Sequence, residues 1–131
     1  MIEDYSKEAH KYWLTTHGVE FKRKLENETA YDGIVKIYSI TTDNDKLNRT
    51  LNGLYFGNLG YPTSNGILLR KFRNKDSWPR TILTYLTIST SELRTIRESK
   101  SSFDMWTVNK VEIGKYEINL SPTETIEFIE R

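Results

Sequence analysis

Ile67-Leu68-Leu69-Arg70-Lys71-Phe72-Arg73 and Thr81-Ile82-Leu83-Thr84-Tyr85-Leu86-Thr87-Ile88-Ser89 flank the polar stretch Asn74-Lys75-Asp76-Ser77-Trp78-Pro79-Arg80. The flanks are the densest aliphatic, aromatic and β-branched runs in the chain. Residues 67–89 therefore read as a β-hairpin in the middle of a sheet. Strand alternation places Leu68, Arg70 and Phe72 on one face and Ile67, Leu69, Lys71 and Arg73 on the other. Both faces begin apolar and end polar, so the cations gather at the loop end. Within 67–80 five bases (Arg70, Lys71, Arg73, Lys75, Arg80) stand against one acid, Asp76, with Phe72 and Trp78 among them.

Toward the N-terminus, Tyr55 to Gly66 is rich in glycine and aromatics and reads as irregular, ending in an Asn65-Gly66 turn. Leu47, Leu51 and Leu54 have the spacing of a short helix, with Asp43 or Asp45 as N-cap and Gly53 near its C-terminus. Ile34 to Ile40 reads as a strand, preceded by a polar connection from Asn27 that ends in Asp32-Gly33. Residues 3–26 read as one long helix. Tyr5, Ala9, Tyr12, Trp13 and Thr16 follow helical spacing, with acids early and bases late, and Gly18 is the point where it would break.

Toward the C-terminus, Ser89-Thr90-Ser91-Glu92 has the form of a capping box and predicts a short helix carrying Leu93 and Ile96. Phe103–Glu112 and Lys115–Leu120 form a second hairpin with Gly114 at its turn. Ser121-Pro122-Thr123-Glu124 is a further helix start, followed by Ile126 and Ile129, although Ile126 and Phe128 also alternate as in a strand. The expected fold is α+β: an antiparallel sheet of about five strands with the long N-terminal helix on one face, a single domain over residues 1–131.

The 131 residues carry a net charge of +1, so no whole-molecule field draws the chain to nucleic acid or membrane. The balance hides an asymmetry of +4 over 67–80 against −3 over 112–131. With no cysteine, disulfides, thiolate metal sites and a thiol nucleophile are all excluded, which suits a reducing cytosol. The acidic N-terminus lacks a secretory h-region, and no apolar run nears the ~20 residues of a membrane span. A soluble, cytoplasmic protein is expected, and the sequons at Asn27, Asn48 and Asn119 read as chance matches.

Catalytic signatures are missing. The two histidines, His10 and His17, would sit two helical turns apart, ~10.5 Å along the axis, too far to share one metal. Counted from Asp43, a calcium loop fails, because Asn48 stands where glycine is needed and Leu54 where glutamate is needed. Gly57-Asn58-Leu59-Gly60 has the spacing of a backbone clamp but no base inside it, and no phosphate loop is present. No cofactor is implied.

The candidate partner-binding residues are therefore Arg70, Lys71, Arg73, Lys75, Trp78 and Arg80, since arginine beside an exposed tryptophan is hot-spot composition. The bland alternative is that the bases protect a sheet edge. The expected function is that of a small non-enzymatic binding protein engaging a larger protein partner. Its Lys-, Asn- and Ile-rich composition suits an accessory or inhibitory protein of a virus or mobile element. The alternative is binding of nucleic acid or nucleotide phosphate at the 70–80 tip. A hydrolase or nuclease using His10 or His17 is a third reading.

Overall fold

The computed structural model describes residues 10–28, 35–74, 80–100 and 106–130. Among these the chain is almost entirely β. In order it forms β1 (Lys11–Thr16), β2 (Val19–Glu28), β3 (Lys36–Thr42), α1 (Asp45–Leu51), β4 (Tyr55–Pro62), β5 (Gly66–Phe72), β6 (Thr81–Thr87), β7 (Glu92–Ser99), β8 (Thr107–Glu112), β9 (Lys115–Ser121) and β10 (Glu124–Ile129). Within each of two sheets, every strand pairs antiparallel with the next in sequence. β1 to β7 make one seven-stranded sheet and β8 to β10 a three-stranded one.

The α+β expectation is overturned. Residues 11–28 form a hairpin, not a helix, turning at His17 (φ 52°) and Gly18 (φ 71°). Two successive positive φ values match the right-handed twist of a tight hairpin, and glycine makes the second inexpensive. The helical spacing of Tyr12, Trp13 and Thr16 was coincidental. Tyr, Trp, Thr, Val and Phe all favour pleated backbone, and Val19 and Phe21 are buried while Lys22 is exposed.

The Ser89–Glu92 signature is likewise a turn, with Ser91 at φ 58°, and it leads into β7. Ser121-Pro122-Thr123-Glu124 turns β9 into β10, and the Ser121 hydroxyl accepts from Thr123 N–H at 3.2 Å. A serine oxygen satisfying a nearby N–H serves a turn as well as a helix start, so the motif alone does not separate them. Tyr55–Pro62 is strand, not irregular chain.

The central hairpin stands where its composition places it, in unbroken register from Gly66 opposite Thr87 to Phe72 opposite Thr81. In β9, Tyr116, Ile118 and Leu120 are buried in alternation, and Gly114 takes φ 78° at the preceding turn. α1 begins at Asn44, whose side chain accepts from Leu47 N–H at 3.0 Å. It buries Leu47 and Leu51.

The large sheet rolls up so that the β1–β2 hairpin returns over β4 and β5. The Trp13 ring lies so close to Gly60 that a Cβ there would come within 2.4 Å of it. The His17 ring nitrogen meets Thr63 O at 2.8 Å, and Arg23 reaches Asn58 at 3.4 Å. Phe21, Ile40, Phe56, Ile67, Leu69 and Leu86 fill the roll together with Leu47 and Leu51 of α1. Thr50 Oγ1 donates to Ser91 O at 2.7 Å and fastens the helix to the β6–β7 turn.

On the other side of β5 and β6, Leu68, Leu83 and Tyr85 pack against Tyr116, Ile118, Leu120 and Phe128 of the small sheet. These two strands are thus covered on both faces, which is why their apolar residues run on without alternation. The Glu130 carboxylate clasps the sheets together. It accepts from the Thr63 and Tyr85 hydroxyls and from the N–H groups of Ser64 (3.2 Å) and Asn65 (2.9 Å). Burial alone would raise this carboxyl, but the four donors together hold it below the ordinary glutamate range. Burial, then the bond to Glu130, pushes the Tyr85 phenol up to about 12.

Candidate functional site

Strand register assembles a basic end on the large sheet. Phe56, Lys71, Ile82 and Glu98 are successive cross-strand partners, and Tyr38 faces Phe56 in the same row. One residue further along, Phe72, Thr81 and Ser99 stand side by side. Arg73, Arg80 and Lys100 emerge beyond them, whereas Lys36, two residues before Tyr38 and opposite Glu28, lies in the other direction along the strands. Lys36, Arg73, Arg80 and Lys100 are exposed and Lys71 is half-buried. Arg73 pairs with Glu98 at 2.7 Å.

Three of the candidate residues, Lys71, Arg73 and Arg80, belong to this end. Arg70 does not. It is 2% exposed and lies between the sheets, its Nε donating to Thr81 Oγ1 at 2.9 Å and its guanidinium 3.9 Å from the Trp106 ring centre. Alternation puts it on the Leu68 face, and the small sheet covers that face. Its charge is held by an aromatic ring and a hydroxyl rather than offered to a partner. Lys75 and Trp78 lie outside the described residues. Lys100 joins the basic end from the far end of β7, and only the pairing register brings it there.

A second feature is a cleft of about 550 Å³ where β3 and β4 part. Tyr38–Phe56 is the registered pair joining these strands, because α1 is inserted between them in sequence. Where β4 departs, Asn48 substitutes for a strand. Its Oδ1 accepts from Thr42 N–H at 2.7 Å and its Nδ2 donates to Thr42 O at 2.9 Å. The Asp43–Asn48 segment is thus a helix cap and polar turn, with Asp43 Oδ1 accepting from Glu20 N–H at 3.1 Å.

On the cleft wall, Ser39 Oγ donates to Glu26 Oε1 at 2.8 Å and lies 3.1 Å from His10 Nε2. With the serine proton directed to Glu26, this network assigns the Nε2 proton to His10 as donor. Burial, then the Lys24 charge, lowers the His10 pKa against an opposing pull from Glu26, so the ring is neutral at pH 7. A nucleophilic triad runs serine to histidine to acid, the acid orienting the imidazole. Here the acid holds the serine directly and does not orient the imidazole.

His17 is spent on the Thr63 carbonyl at the opposite end of its strand pair. Gly57–Gly60 lies within β4 with Gly60 beneath Trp13, not in a clamp loop. Among the described residues no group of three or more His, Asp or Glu side chains is placed to hold a metal ion. Nor is any helix among them long and apolar enough to cross a membrane.

No family model, no curated protein and no solved structure matches the chain.

Proposed function

We propose that this chain is a small binding protein without catalytic activity of its own, and that it engages a larger protein through the basic end of the rolled sheet. The observation that carries the reading is the register that gathers Lys71, Arg73, Arg80 and Lys100 from three adjacent strands onto one end. Cations concentrated on one surface steer association with a partner of opposite potential.

Glu98 stands among these bases, paired with Arg73. Mixed signs suit a protein surface better than the uniform charge of a nucleic-acid backbone, where each acid would oppose a phosphate. The hydrogen-bond order around Ser39 supports binding over catalysis.

The test is capture from a native extract by the wild-type chain and by an Arg80→Glu/Lys100→Glu variant, each with and without nuclease. The proposal expects a protein partner that resists nuclease and is lost from the variant. Capture abolished by nuclease would move the reading to nucleic acid, and equal capture by the variant would remove the basic end from it.

A further inference from the structure

The cleft between β3 and β4 adjoins the basic end, since Tyr55 of its wall pairs with Phe72, but it does not rest on the reading given for that end. Backbone alternation determines what it presents. Asp43 N–H bonds Glu20 O of β2 at 3.3 Å. Thr42, one residue earlier, therefore turns its own N–H and C=O away from β2, and the Asn48 side chain meets both. Tyr38, four residues earlier and in the same orientation, meets Phe56 of β4.

Ile40 lies midway. The same two-residue alternation directs its N–H and C=O into the gap between those two closures, where the residue lines the cleft. Across the gap, in the position a continuing strand would fill, Leu54 gives its N–H to Leu51 O at 3.2 Å. One strand position thus opens on the cleft, with a donor and an acceptor side by side.

An added peptide strand needs several alternate positions, and this edge is closed on both sides of Ile40. A planar ring with one donor–acceptor edge needs only the one. We propose that the cleft binds a nucleoside or nucleotide, its base edge read by the Ile40 N–H and C=O. The volume, about 550 Å³, is in the range of small-molecule sites. Tyr55 lines the same cleft and supplies an aromatic surface of the kind on which bases stack. The His10–Ser39–Glu26 chain supplies partners for sugar hydroxyls, and exposed Arg49 a cation for a 5′-phosphate.

Main-chain groups cannot be substituted, so the Ile40 amide itself is the readout. Uniformly ¹⁵N-labelled protein is titrated with adenosine, guanosine, cytidine and uridine, and then with their 5′-monophosphates. At least one nucleoside should shift the Ile40 amide in a saturable way and slow its hydrogen exchange. The matching monophosphate should bind several-fold tighter, and Arg49→Ala should remove that gain while leaving nucleoside affinity unchanged. The proposal is overturned if no nucleoside moves the Ile40 amide. It is also overturned if monophosphates shift only the amides of Arg73, Arg80 and Lys100, which would mark phosphate attraction to the basic end.

Discussion

Glu130→Ala should be the most informative single substitution for the architecture. The carboxylate gathers two hydroxyls and two main-chain N–H groups from the β4–β5 turn and β6, all onto the end of β10. Ser64 and Asn65 are exposed, so water replaces the acceptor for their N–H groups at little cost. Tyr85 is 0% exposed and Thr63 8%, and their hydroxyls lose an ionised acceptor that water replaces poorly. At roughly 1.5–3 kcal/mol for a bond to a charged group, discounted for partial exposure of the carboxylate, the loss is about 2–4 kcal/mol.

In urea, with a slope of about 2 kcal/mol/M, the midpoint should fall by about 1–2 M at unchanged slope. Tyr85→Phe should cost much less in the Glu130→Ala background than in the wild type, because the two share one bond. Two pH limbs accompany this. The Glu130 carboxyl is depressed in the fold, so its contribution is full above the ordinary glutamate range and is lost as pH falls through the folded value. Tyr85 is raised from 10.0 to about 12, so its contribution is intact below 10 and is lost as pH climbs toward about 12. Glu130→Ala should flatten the acid limb. A stability loss under about 0.5 kcal/mol with an unaltered acid limb would refute the clasp, being no more than an ordinary surface substitution gives.

Other substitutions follow from the same packing. Gly66→Ala would bring a Cβ within 2.1 Å of the Leu86 carbonyl and 2.9 Å of the Tyr85 ring, so thermal unfolding should show a loss of about 3 kcal/mol or more. Within one hairpin, Arg70→Ala should cost about 2–4 kcal/mol by chemical denaturation, whereas Arg73→Ala, which removes a surface pair with Glu98, should cost at most about 1 kcal/mol. Asn48→Ala removes the side chain that stands in for a strand at Thr42, and should cost about 1–3 kcal/mol with faster hydrogen exchange at the Thr42 amide.

What the sequence revealed followed burial. The central hairpin was legible because β5 and β6 are covered on both sides, leaving 67–72 and 81–87 almost continuously buried and rich in aliphatic and β-branched residues. β9 was legible for the opposite reason: one dry and one wet face gives clean alternation. The first hairpin was hidden because β1 is bulged between Tyr12 and Leu14, which breaks the two-residue period and leaves Trp13 and Leu14 both half-buried. The helix start read at Ser121 failed for a chemical reason, since the same hydroxyl-to-N–H bond closes a turn. The basic end was half legible. Lys71, Arg73 and Arg80 are close in sequence, but Lys100 reaches it only through pairing register, and the burial of Arg70 depends on a second sheet formed by residues 107–129.

The partner captured through the basic end allows the most direct measurement: its association rate with the wild-type chain and with Arg80→Glu/Lys100→Glu, from about 50 to about 300 mM salt. Steering by the assembled cations predicts a wild-type rate that falls steeply with salt, and a variant rate that starts low and stays nearly flat. Equal rates with equal salt dependence would contradict engagement through this end.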